Sequence, residues 1–222
     1  MAERDEKHPG LGVARQIAIV AVVAVAALAA GLLVGDNFKS PPQLQNLESA
    51  TVLGEYAKPL PEFALSDHEG TPFDTSRLRG QWSVLFFGYT HCPDICPITL
   101  STMKEVLDTL TPKLPNLELN VVFISVDPAR DTLEHLGQYV TYFDKRFIGV
   151  TGSETELNKL VQGLGVVYIS AKGPTTSDYL VDHSAQLLLI DPAGALYAVL
   201  SAPHQAPVIS RNLEAILASA KG

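Results

Sequence analysis

The chain has 222 residues, with 16 Lys and Arg against 24 Asp and Glu, a formal net charge of −8, and two cysteines. One disulfide at most is available, which excludes a scaffold held by several bridges, and the length is sufficient for a domain with a full hydrophobic core. The acidic balance disfavours contact with a phosphate backbone, so no nucleic-acid partner is expected. The mean hydropathy of +0.16 is high for a chain with 18% charged residues, which indicates a strongly apolar segment.

That segment is residues 17–34, an unbroken apolar run without a charge. As a helix it would be about 27 Å long, close to the roughly 30 Å of a hydrocarbon core. More Lys and Arg precede the run, in the leader 1–16, than follow it closely, which places the N-terminus in the cytoplasm. The sequence therefore predicts a single-pass inner-membrane anchor with the C-terminal bulk on the extracytoplasmic, periplasmic side. A signal peptide cleaved after residues 27–29 is the alternative.

Residues 35–57 are predicted to form a polar tether, and residues 58–222 one α/β domain. In chain order its predicted elements are a hairpin (61–65 and 71–73), a strand (83–88), a helix (97–110), a strand (117–126), a helix (132–142), a strand (146–150), a helix (154–164), three strands (166–169, 186–190 and 195–200) and a helix (207–220). This order is typical of a thioredoxin-like fold with an extra N-terminal β-hairpin. Asp131 is the predicted N-cap of the second helix, with Glu134 as its capping-box partner.

Both cysteines, Cys92 and Cys96, lie between the first long strand and the helix that follows it. Side chains four residues apart at a helix opening share one face, so both sulfurs can converge on one ion. The helix dipole is expected to lower the pKa of the thiols and favour thiolate. Two thiolates select Cu(I), zinc or an iron–sulfur cluster, and two Cys with one His would suit copper. A plain disulfide, or two inert thiols, is the structural alternative.

A third ligand must come from elsewhere, and His183 is the strongest candidate. It is predicted to begin a strand after the polar loop 171–178, and Asp182 beside it can orient the imidazole. From the residues alone, a structural histidine fits this position as well as a ligand does. The other five histidines are not expected to bind the metal: His8 and His68 are expected to be solvated, His135 to lie on an exposed helix face, and His91 and His204 to lie in loops.

Three stretches carry a family resemblance: Gly88 to Pro97 (GYTHCPDICP), Ser125 to Thr132 (SVDPARDT) and Val181 to Ser184 (VDHS). In this order, over about residues 58 to 220, they resemble the motifs of the SCO/SenC family of copper-binding proteins. The resemblance implies that Cys92, Cys96 and His183 bind copper, as Cu(I) or Cu(II). It also implies that Asp127 lies just behind these ligands, as Asp182 is expected to, and a capping or turn role fits Asp127 equally well. Arg130 is expected at the surface.

The resemblance further implies a membrane-tethered copper chaperone, a binding and transfer protein rather than an enzyme. Its expected partners are the subunit of cytochrome c oxidase that carries the CuA centre, and an upstream copper donor or thiol reductant. Oxidation of Cys92 and Cys96 to a disulfide would abolish copper binding. The alternative function is a thiol–disulfide oxidoreductase that keeps the target cysteines reduced, and a peroxidase or peroxide sensor is a third possibility.

Overall fold

The computed structural model describes residues 11–37, 47–115, 118–166, 168–171, 180–183 and 185–219. Side chains are described in these ranges except at residues 11–14, 31–37, 55, 168–171 and 180–183. The first ten residues of the predicted leader and most of the polar loop 171–178 therefore lie outside the described residues. The chain divides into two compact units, Met1–Gln45 and Asn46–Gly222.

The first unit contains one long helix, α1 (Leu11–Asn37), which includes the apolar run. Its described apolar side chains, among them Ile17 and Val20, are exposed. Within the described part of the chain, no helix has both the length and the apolar character needed to cross a membrane. The structure thus contains a helix over residues 17–34, as predicted, and gives the predicted membrane span no support.

The second unit is built on one mixed sheet with helices on both faces. The strands are β1 (Ala50–Val52), β2 (Lys58–Pro59), β3 (Ala64–Asp67), β4 (Pro72–Asp74), β5 (Trp82–Gly88), β6 (Leu119–Ser125), β7 (Phe147–Thr151), β8 (Tyr168–Ala171), β9 (Leu180–His183), β10 (Leu187–Ile190) and β11 (Ala195–Leu200). The helices are α2 (Ile95–Leu110), α3 (Leu133–Phe143), α4 (Glu154–Leu164) and α5 (Ala206–Ser219).

The sheet runs in the order β1-β11-β10-β5-β6-β7-β3-β4, with β2 also paired to β11. Strands β5, β6 and β7 are parallel, and the remaining neighbours in the sheet are antiparallel. Strands β8 and β9 form a separate antiparallel pair. The predicted α/β class and the extra hairpin, β3 with β4, are confirmed. Strand β1 is a difference from the prediction, since it lies within the stretch 35–57 expected to be a tether.

The central strand β5 is buried at all seven positions because helices cover both faces of the sheet. On one face, Leu85 and Phe87 pack in a core cluster with Leu157 and Leu160 of α4. On the other face, Phe86 contacts Phe123 of β6 beneath α2 and α3. A parallel strand buried on both faces reads as a continuous apolar run, which is why the sequence identifies β5 so clearly.

Candidate metal centre

The cysteine loop lies at the carboxyl end of the central strand. Strand β5 ends at Gly88, α2 begins at Ile95, and Gly88 is paired with Ser125 at the end of β6. The backbone N–H of Val126 donates to the Gly88 carbonyl at 2.9 Å. The two parallel strands therefore bring the first and second sequence motifs to the same edge of the sheet, where open α/β sheets place ligand sites.

Among the described residues neither Cys92 nor Cys96 is in a disulfide, and the two thiols are hydrogen-bonded to each other. Cys96 is fully buried in the first turn of α2, whereas Cys92 is half-buried in a turn before the helix, with its N–H on the Tyr89 carbonyl. Burial raises the pKa of the Cys96 thiol strongly, and a hydrogen bond from the Tyr89 backbone N–H offsets this only in part. The predicted lowering of the thiol pKa is therefore wrong for Cys96, because desolvation of a buried thiolate outweighs the helix dipole.

Asp131 holds the cysteine loop to the second motif. Its buried carboxylate accepts from the Thr90 backbone N–H at 2.9 Å, the Thr90 hydroxyl at 2.6 Å and the Ser125 hydroxyl at 2.6 Å. His91 Nδ1 lies 3.5 Å from the same carboxylate. The predicted role of Asp131 as a helix N-cap is wrong, and Thr132 caps α3 instead. The Asp131 carboxylate points toward the donors of Thr90 and Ser125 rather than toward the first turn of α3.

Asp127 contacts the cysteine loop indirectly, because its partner Arg130 packs on Tyr89. The buried Asp127 carboxylate pairs with Arg130 Nε, and the guanidinium of Arg130 lies over the Tyr89 ring, 5.6 Å from its centroid. Only 14% of the Arg130 side chain is exposed, so the expectation of a surface position is wrong. The ion pair and the aromatic face together remove the guanidinium from water.

Gly88 makes the space that Cys96 occupies. A Cβ atom at residue 88 would lie 2.8 Å from Cys96 Sγ and 2.6 Å from Phe123 Cε2. Beside Phe123, the Tyr139 ring of α3 lies at a centroid distance of 5.7 Å. Among the described residues the buried Tyr139 hydroxyl has no hydrogen-bond partner, and burial together with the nearby cysteines raises its pKa. Phe123 and Tyr139 therefore line the buried side of the pocket that holds Cys96.

His183 is the last residue of β9, paired across to Tyr168 of β8, and Asp182 is paired to Ile169. The prediction that His183 begins a strand is wrong, because the strand runs into it and the next one starts at Leu187. Strand β9 lies near β5, the strand that leads into the cysteine loop. The side chains of His183 and Asp182 lie outside the described side chains. Among those described, no group of three or more His, Cys, Asp and Glu is arranged to hold a metal ion.

His204 supports the chain just after β9. Its Nε2 lies 2.6 Å from the Ala185 carbonyl, to which it donates, and burial of the imidazole lowers its pKa. His204 follows the cis peptide between Ala202 and Pro203. Its ring therefore holds the segment that connects His183 to β10.

His68 and His135 were both expected to face solvent, and the structure places them differently. His68 was expected to be solvated, but its half-buried ring accepts from the Gly149 N–H at 3.0 Å and packs on Gly137 of α3, so this prediction is wrong. His135 is exposed on α3, as predicted. Around the thiols, the sequence did not predict the contacts of Thr90, Ser125 and Tyr139. Thr90 and Tyr139 contact residues distant in sequence, and Ser125 reaches Asp131 across the turn that follows β6.

Comparison with known proteins agrees with this architecture. The SCO1/SenC family model matches residues 54–218. A Stutzerimonas stutzeri protein is 41% identical over 158 residues, covering 71% of this chain and 76% of its own length. The mitochondrial SCO2 homolog of Bos taurus is 32% identical over 218 residues, covering 97% and 80%. The crystal structure of Arabidopsis thaliana ScoI with copper bound superposes with a TM-score of 0.67 at 32% identity, covering 72% of this chain and 98% of that one. The chain belongs to the SCO1/SenC family.

Proposed function

We propose that this protein binds copper through Cys92, Cys96 and His183 and passes it to another protein. The observation that carries the proposal is the pair of reduced, mutually hydrogen-bonded thiols at the carboxyl end of β5. Two adjacent sulfurs form a soft donor pair, and soft donors favour copper over hard cations. The copper-bound Arabidopsis relative supports the same metal.

The burial of Cys96 makes its deprotonation depend on the metal. A buried thiol keeps its proton at neutral pH because the thiolate is poorly solvated, and a bound cation supplies the missing charge. Copper binding therefore releases protons. Because Cys92 is half-buried, an incoming thiol can attack the metal from that side and displace one ligand at a time.

His183 completes the ligand set in this proposal. The position of β9 near β5 supports it, since the end of β9 is then on the same part of the fold as the cysteine loop. Asp182 and Asp127 orient the site, Asp127 by means of the Arg130–Tyr89 contact. Oxidation of Cys92 and Cys96 to a disulfide removes both sulfur ligands and so prevents copper binding.

The recipient in this proposal is the CuA-bearing subunit of cytochrome c oxidase, and the source is a copper donor that acts together with a thiol reductant. Residues 17–34 are proposed to anchor the chain in the inner membrane, with the copper domain on the extracytoplasmic side. The sequence supports this with the apolar run and the excess of basic residues ahead of it. The full chain should resist alkaline extraction from membranes, and release into the soluble fraction would contradict the anchor.

Copper titration tests the ligand set. The reduced full chain should bind one Cu(I) in competition with a chromophoric chelator, and Cys92→Ser should abolish this binding. His183→Gln should weaken it by about tenfold or more, the effect of losing one ligand. His8→Gln, in the leader, is the matched control and should bind as the wild type does.

Two results would contradict the proposal: a reduced wild type that takes up no copper, and a His183→Gln variant as tight as His8→Gln. Rapid turnover of a disulfide substrate by the metal-free protein would instead favour the thiol–disulfide oxidoreductase. The high pKa of Cys96 argues against that activity for this thiol, because the attacking species is the thiolate.

A further inference from the structure

An exposed pair of imidazoles lies beside the cysteine loop and has no part in the proposed ligand set. The rings of His91 and His135 lie 5.7 Å apart between centroids, at an interplanar angle of 43°. His135 is exposed on α3, and 47% of the His91 side chain is exposed. The two residues come from different elements, so the tertiary fold alone brings them together.

The hydrogen bonds of Thr90 select the tautomer of His91. The Thr90 hydroxyl has one hydrogen, and it donates this to the Asp131 carboxylate at 2.6 Å. Toward His91 Nδ1, at 3.1 Å, the same hydroxyl can therefore only accept. Nδ1 of His91 then carries the proton, and the neutral ring keeps the Nε2 lone pair available. Metal-binding histidines are commonly oriented in this way, with the second ring nitrogen donating toward an oxygen that a carboxylate holds.

His135 is presented from a fixed point on the helix. Its backbone N–H bonds to the Thr132 cap at 3.2 Å, and the neighbouring Leu136 is buried in the core. Two imidazoles on one ion, each with a nitrogen–metal distance of about 2 Å, have ring centroids up to about 6 Å apart. The observed 5.7 Å separation therefore lies within reach of a shared ion.

We propose that His91 and His135 form a second metal site that binds Cu(II), separate from the thiol pocket. Cu(II) is favoured because imidazole nitrogens suit it and because it binds most tightly among the divalent first-row ions. The nearby buried Asp131 carboxylate, 3.5 Å from His91 Nδ1, adds negative charge that favours a cation. Since His91 directly precedes Cys92, both proposed sites draw on the same loop. The proposal does not require copper to bind the thiols.

The test uses the full chain carrying Cys92→Ser and Cys96→Ser, titrated with CuCl₂ and followed by electron paramagnetic resonance. We expect one Cu(II) per chain with nitrogen hyperfine structure. His91→Gln and His135→Gln, each in this background, should weaken binding by about tenfold or more. His8→Gln, in the leader, is the matched control and should leave the affinity unchanged.

Equal affinity in the His91→Gln or His135→Gln variant, or loss of binding in a control variant, would overturn the proposal. If the double serine variant does not fold, the wild type with Cys92 and Cys96 oxidised to a disulfide serves instead, with the same expected result. Neither arm uses the thiols as ligands. Failure here is therefore distinguishable from failure of the Cu(I) titration.

Discussion

Replacing Asp131 with alanine is expected to lower the free energy of unfolding by about 3 to 5 kcal/mol. The substitution removes the acceptor for the half-buried N–H and hydroxyl of Thr90 and for the fully buried hydroxyl of Ser125, and each of these donors loses its partner. Urea denaturation followed by the fluorescence of Trp82, the single tryptophan of the chain and a buried residue of β5, measures the effect directly.

The matched control is Asp108→Ala. Asp108 also accepts two bonds, from Lys104 and Arg146, but it is exposed, and water replaces the lost partners. A change below about 1 kcal/mol is expected for this control. Equal effects of the two substitutions would show that Asp131 does not hold the loop. Copper binding should weaken in Asp131→Ala as well, because Thr90 and His91 lead directly into Cys92.

Replacing Gly88 with alanine is expected to disturb the thiol pocket more than the rest of the fold. The added methyl group would overlap Phe123 and Cys96 Sγ, at 2.6 and 2.8 Å, and one of these core side chains must move. Overpacking of this kind costs about 1 to 3 kcal/mol. We expect copper affinity to fall by about tenfold or more, since Cys96 is displaced from its partner thiol. Denaturation and Cu(I) titration measure the two effects separately.

Two further variants sharpen the Gly88 experiment. Ser83→Ala, on the same strand, removes a buried hydroxyl that has no partner among the described residues, so it should leave stability unchanged or raise it. Phe123→Leu in the Gly88→Ala background relieves the ring contact but not the contact with Cys96. Stability should therefore recover more than copper affinity does. Wild-type copper affinity in Gly88→Ala would contradict the assigned role of this glycine.

The elements that the sequence predicted well are those with a local signal. The buried strand β5 appears as a continuous apolar run, and the hairpin of β3 and β4 surrounds a turn with Gly70 at positive φ. The cysteine motif also has a local signal, because its spacing and its place after a strand are visible in ten residues. Strand β9 was harder to predict: it has only four residues, two apolar and two polar, and is paired only to β8 among the described strands, so periodicity does not mark where it ends.

The sequence by itself determined the α/β class, the order of the main strands and helices, and the two cysteines as a candidate metal pair. These follow from periodicity and spacing, which depend on near neighbours in the chain. Only the tertiary structure decided that Asp131 holds the cysteine loop instead of capping a helix, and that burial raises the pKa of Cys96. It also brought His91 to His135. Each of these depends on which distant groups desolvate or bond a side chain, and sequence spacing does not carry that information.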